Sequence, residues 1–198
     1  MVYLHEIVLP GARPGGKHLC VCLSSAEYAE ETGLAVIASL RRVRASWWRP
    51  LVDRDDFTPI GTFEPLDQPR AVDTSQIVSV PVTALGTPAG RVSERVVADT
   101  MEVLPALFQL RGPWEVRGAV HRVDGWPEGT DALLVLNDDA LDNPDVRYFL
   151  ALPYEEGDWR LALVLVNADD LREEVRALSD AEQSVLSNDL RRIFRLSG

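Results

Sequence analysis

Residues 93–110, SERVVADTMEVLPALFQL, and residues 179–196, SDAEQSVLSNDLRRIFRL, superpose without a gap at a spacing of 86 residues. Ser93 falls on Ser179, Leu104 on Leu190, Leu107 on Ile193, Phe108 on Phe194 and Leu110 on Leu196. Each stretch reads as an amphipathic closing helix, with apolar residues at 97, 101, 104 and 108 in one and at 186, 190, 193 and 194 in the other. Each opens on a serine suited to N-capping, and Glu182 completes a capping box with Ser179. Pro105 interrupts the first pattern and predicts a kink.

Working outward, the match continues upstream. GKHLCVCLSS (16–25) aligns with GTDALLVLND (129–138), and VIASL (36–40) with FLALP (149–153), both at a spacing of 113. IVSVPVTAL (77–85) returns to 86 against LVLVNADDL (163–171), so the first copy carries about 27 extra residues, an inserted loop spanning 41–72. LRGPW (110–114) has the Gly and Pro expected of a helix stop and joins copy one, 1–112, to copy two, 113–198. Each unit reads as strands at 3–9, 18–24, 34–40 and 75–82 or their equivalents, a short helical turn at 26–31, and the long helix. That order is α+β: two tandem SH3-like small β-barrel units, each with a C-terminal helix. Units of this size bury only about 60 to 65% of their unfolded surface, so an intramolecular pseudo-dimer is expected.

The net charge of −11 argues against a nucleic-acid binder that works through a general positive field. The charge is uneven: residues 1–112 are net −2 and residues 113–198 net −9. No apolar run reaches the roughly 18 residues of a membrane helix. The opening MVYLHEIVLP shows no export signal, so the expected location is cytoplasmic, without membrane partners. Cys20 and Cys22 would point to one face of a strand, badly placed for a mutual disulfide, and no metal or cofactor is expected. NDDALDNPD (137–145) lacks the calcium-loop spacing, central Gly and final Glu, and reads as an exposed acidic turn.

Two stretches carry candidate chemistry. PLDQPRAVDT (65–74) sets Asp67, Arg70 and Asp73 around a proline; Asp67 and Arg70 fit either a reactive pair or a turn that Pro69 bends. RRVRASWWRP (41–50) sets Arg41, Arg42, Arg44 and Arg49 around Trp47 and Trp48. Basic groups among aromatics suit single-stranded nucleic acid, a protein interface, or a loop packed on the barrel. Lys17 and His18 add a cation and a titratable ring, although His18 also fits an ordinary strand position.

HEIVLPG with its Gly/Pro-rich loop, KHLCVCLSS, DQPRAVD and a terminal amphipathic helix together resemble the MazF/Kid (PemK) family of toxin-antitoxin toxins. In the second copy RGAVHRVDG and ALLVLNDDAL fit the same frame, and SVPVTALG (79–86) resembles the related CcdB gyrase-poison branch of the superfamily. The resemblance implies small dimerising barrels that cleave single-stranded RNA without metal, using groups from both subunits. It carries a catalytic role to Asp67, with Arg70 as phosphate contact and His18 as acid or base. Lys17 and the segment from Arg41 to Arg49 would then hold substrate. The family's basic residue two places before that Asp falls at Pro65, the arginine of its first-loop RP pair falls at His18 and Asp131, and copy two has no DQPR. The expected function is a growth-inhibiting endoribonuclease, mRNA interferase-like, with activity confined to copy one. The alternatives are a non-catalytic toxin-fold module binding an antitoxin or a gyrase-like target, and a duplicated homologue that has lost toxicity.

Overall fold

A computed structural model of the chain describes residues 3–7, 18–42, 57–61, 66, 68–107, 118–124, 126, 130–136, 141–143 and 146–194. It divides into two compact units, Met1–Leu104 and Pro105–Gly198, each mixing strands and helices.

In the first unit β1 (Tyr3–Ile7), β2 (His18–Cys22), β3 (Leu34–Arg42), β4 (Phe57–Gly61), β5 (Arg70–Pro81) and β6 (Pro88–Arg91) form a sheet in the order β4-β5-β3-β2-β1-β6. β3 is central: Ala35, Val36, Ile37 and Ala38 are all buried, so both faces are covered and the strand shows an unbroken apolar run. Helix α1 (Ala26–Thr32) joins β2 to β3. Ser25 caps it by accepting the Tyr28 amide at 3.0 Å, and Gly33 ends it in left-handed backbone at φ 69°, where a side chain would be strained. The Tyr28 ring is buried and its hydroxyl meets Ser79 on β5 at 3.4 Å, fastening α1 to the sheet. Helix α2 (Glu94–Leu107) begins at Ser93, which accepts the Val96 amide at 3.4 Å, and continues through Pro105. The buried Thr100 hydroxyl donates to the Val96 carbonyl at 2.7 Å, satisfying itself within the helix.

The second unit holds β7 (Ala119–Val123), β8 (Ala132–Val135), β9 (Leu141–Asn143), β10 (Val146–Glu155), β11 (Asp158–Trp159), β12 (Val164–Asn167) and β13 (Leu171–Ala177), then α3 (Asp180–Phe194). The strands run β11-β10-β8-β7-β13, with β9 and β12 also paired to β10. Val123, Leu133, Val135, Ala151 and Val166 pack together, with Trp126 and Phe149 against them. Leu186, Leu190, Ile193 and Phe194 form the buried stripe of α3 at the four positions the periodicity predicts. Such side chains contribute about 1.5–3 kcal/mol each when fully buried. The capping box is formed: Glu182 accepts the Ser179 amide at 2.8 Å while Ser179 accepts the Glu182 amide at 3.4 Å.

The strand pairing of the first unit recurs in the second. β1-β2-β3-β5, with β6 on the free side of β1, has the same connections as β7-β8-β10-β12 with β13 beside β7. The rows correspond as well. Leu4 faces Val21 and Gly90, and Val120 faces Leu134 and Arg176. Both edge pairs then break register at the next residue, to His5–Pro88 and His121–Glu174. Three-residue 3-10 turns, Val82–Ala84 and Ala168–Asp170, precede β6 and β13.

Two expectations change. The rows align Val36 with Leu150, not with Phe149 as VIASL on FLALP would have it, because Val36–Ser79 corresponds to Leu150–Leu165. The expected insertion also includes strand: β3 runs on to Arg42, β4 lies at Phe57–Gly61, and β5 begins at Arg70 because β4 pairs with its first half. Pro59 is tolerated in β4 because that strand is an edge.

Candidate functional site

Strand alternation sorts the polar residues of the first sheet. Cys20 faces Ser39, so His18, Cys20 and Cys22 share a face with Ile37, Ser39 and Arg41. In the middle of the sheet this face is apolar, with Cys20, Ile37 and Val80 buried together beneath Val78 and Leu85. At its end it turns polar. The pairing of β3 with β5 jumps from Ala38–Ile77 to Ser39–Asp73, then runs Leu40–Val72, Arg41–Ala71 and Arg42–Arg70. The jump brings Asp73 to the face of Ser39 and Arg41, while β4 places Phe57 on its other side. Asp73 forms an ion pair with the Arg41 Nε; the carboxylate side chain is 0% exposed and that of Arg41 is 33% exposed. His18, at the first residue of β2, is exposed.

The structure thus brings His18 and Arg41 to one face and turns Arg42 and Arg70, a facing pair, to the other. Lys17, Arg44, Trp47, Trp48, Arg49 and Asp67 lie outside the described residues. Sequence reasoning did not assign roles to Asp73 and Ser39. The signal for Asp73 was its place in DQPRAVD, three residues after Arg70, with opposite parity on the strand.

A permanently charged guanidinium, anchored on one side and reaching solvent on the other, can accept an oxyanion there. An imidazole on the same face can donate or accept a proton. The cysteines supply no comparable reactivity. Cys20 is buried, and burial pushes the Cys22 thiol up, with Ser24 Oγ at 3.7 Å as a neighbour. Among the described residues no group of three or more His, Cys, Asp or Glu side chains is placed to hold a metal ion. Nor is any described helix long and apolar enough to cross a membrane.

The equivalent place in the second unit has the opposite sign. The aligned rows put Asp131 where the first unit has His18 and Glu155 where it has Arg41. Asp131 and Glu155, with Tyr154, Asp158, Trp159 and Arg160, line a cavity of about 800 Å³. Arg160 binds Glu155 at 3.2 Å and Thr130 at 3.3 Å, and the Trp159 indole donates to Asp189 at 3.1 Å. The β10–β11 turn is Glu156-Gly157, with φ of 52° and 95°. This hairpin is short where the first unit inserts β4.

No family model matches the chain, and no curated protein matches it. Among solved structures the chain is similar to the Mycobacterium tuberculosis toxin MazF-mt6, at 17% identity, covering 56% of this chain and 99% of that one, with a TM-score of 0.44. At that identity and score the likeness decides nothing about chemistry.

Proposed function

We propose that the chain is a toxin-like protein of toxin-antitoxin type: a metal-independent endoribonuclease of MazF/Kid character acting on single-stranded RNA. In this reading it consists of two duplicated SH3-like barrel units, copies corresponding to the two subunits of such a toxin, of which only the first keeps reactive groups. The recurrence of strand order, register and bulge supports the duplication. The observation that carries the activity is the placement of His18 and Arg41 on one sheet face, with Arg41 anchored by buried Asp73.

RNA cleavage of this kind forms a bond from the ribose 2′ oxygen to phosphorus and breaks the bond from phosphorus to the 5′ oxygen. One group takes the 2′ proton, another returns a proton to the leaving oxygen, and a cation stabilises the charge that builds on the phosphorane. His18 is suited to one of the proton steps. Asp67 is assigned to help set a proton's position by the sequence resemblance alone. The resemblance gives the phosphate contact to Arg70, whereas strand alternation gives Arg41 the face of His18; substitution separates the two. A near-neutral first half allows a local cationic patch to bind where the whole chain, at −11, repels.

The test is cleavage of mixed-sequence single-stranded RNA by the purified chain in the presence of a chelator. Wild type should cut. His18→Ala should lose about 10²- to 10⁴-fold, the usual share of one general acid or base, Asp67→Ala should abolish cutting, and Arg41→Ala should lose more than Arg70→Ala, all with unchanged far-UV dichroism. Growth arrest on expression without RNA cleavage would move the assignment to a protein-binding module with an antitoxin or gyrase-like partner. Neither effect would mark a homologue that has lost toxicity.

A further inference from the structure

Asp73 is a buried carboxylate in the middle of a three-strand row, between Ser39 on β3 and Phe57 on β4. Charge in such a place persists only when it is paired, and the break in register between Ala38 and Ser39 is what sets it beside Arg41. Arg41 has four freely rotating side-chain torsions and stands near the end of β3, where an unanchored arginine would sample many rotamers. One carboxylate engages one edge of a guanidinium, and the side chain remains one-third exposed, so another edge is left for a second oxyanion.

We infer that Asp73 is a positioning residue: it holds the Arg41 guanidinium in a preset plane on the sheet face it shares with His18, so that its outer edge receives the phosphodiester oxygens of the RNA strand. The inference rests on the ribonuclease reading and deepens it by naming the phosphate subsite and what orients it. It also makes an unusual prediction of sign. Asp73→Asn removes a negative charge next to a polyanion site, so a field effect alone would tighten RNA binding. If Asp73 acts through Arg41, the same change weakens binding despite the more favourable charge.

The experiment uses the full chain and a single-stranded oligoribonucleotide carrying 2′-O-methyl groups, which binds without being cut, alongside its cleavable counterpart. Expected for Asp73→Asn are affinity and cleavage each lowered about tenfold or more, and a salt slope of log K smaller by about 0.7, the value of one single-strand phosphate contact. The Arg41 Nε–H resonance of wild type should move on adding the oligonucleotide and lose its exchange protection in the variant. Because a neutral amide in a buried slot can unfold a protein, Arg41→Lys gives a second route. It keeps the charge and Asp73 but loses the planar fork, and should lower cleavage at least tenfold with melting unchanged. Binding by Asp73→Asn as tight as wild type or tighter, or full cleavage by Arg41→Lys, overturns the positioning role while leaving the ribonuclease reading in place. A wild-type chain that neither binds nor cuts the RNA overturns the ribonuclease reading, and this inference with it.

Discussion

Glu182 shows how much of one side chain's work is readable from its neighbours in sequence. SDAE (179–182) is a capping box on sight, and both reciprocal hydrogen bonds form. What the sequence does not display is the tie to β13 and β10: Arg176 grips Glu182 through both carboxylate oxygens at 2.7 and 3.0 Å and donates to Tyr154 Oη at 2.7 Å. Held first by Arg176 and then by Ser179, the Glu182 carboxyl is lowered to about 2. A depressed carboxyl stabilises the fold fully above its unfolded value of about 4.3 and loses that contribution as pH falls toward the folded value. Comparing wild type with Glu182→Gln by thermal melting should therefore show a gap that is constant from pH 7 to about 5 and closes between about 4.3 and 2. Both side chains are about one-third exposed, so 1 M salt should narrow the gap at pH 7. A gap that widens on acidification would contradict this origin. Asp73 and Arg41 are the opposite case: their pairing depends on a register jump between distant strands that no local pattern announces.

Among the elements, helices were legible because their period is local. The four apolar positions that the period marks in α3 are buried, and both serine caps are in place. Strands were less so, since a slip of one residue exchanges the two faces of a strand. Matching VIASL to FLALP puts Arg41 against Tyr154, whereas the hydrogen-bond rows put it against Glu155 and reveal the charge reversal between the units. β4 was hidden because its short sequence, FTPIG, contains both proline and glycine and takes its strand form from β5. Close packing of α3 on its sheet also rests on a residue the pattern does not flag. A Cβ added at Gly118 would lie 2.8 Å from Leu134 Cδ1, 2.9 Å from Leu178 Cδ1 and 3.3 Å from Leu186 Cδ2. All three leucines are buried, so their methyls have little room to retreat. Gly118→Ala should destabilise by about 1–3 kcal/mol, the usual cost of overpacking, read as a lower urea midpoint at unchanged slope. A neutral or stabilised variant would show that α3 can shift.

Across the whole chain the strand order recurs, and the differences between the two units bear most on the proposed chemistry. The spacing of 86 residues between the closing helices continues through the 3-10 turns and the edge strands. A recurrent strand order does not require recurrent chemistry, and here His18 and Arg41 have Asp131 and Glu155 at the corresponding positions. At that place the carboxylates outnumber the one cation, Arg160, which is already engaged by Glu155 and Thr130, so the second unit should contribute nothing to the reaction. The two surface acids are screened over about 8 Å at physiological salt, which limits their effect on distant phosphates as well. The double variant Asp131→Ala, Glu155→Ala should therefore cut RNA within about twofold of wild type under single-turnover conditions, while His18→Ala alone falls by about 10²-fold or more. Loss of activity in the double variant with folding intact would mean that the acidic second unit supplies groups to the reaction. Equal activity would place the chemistry in the first unit.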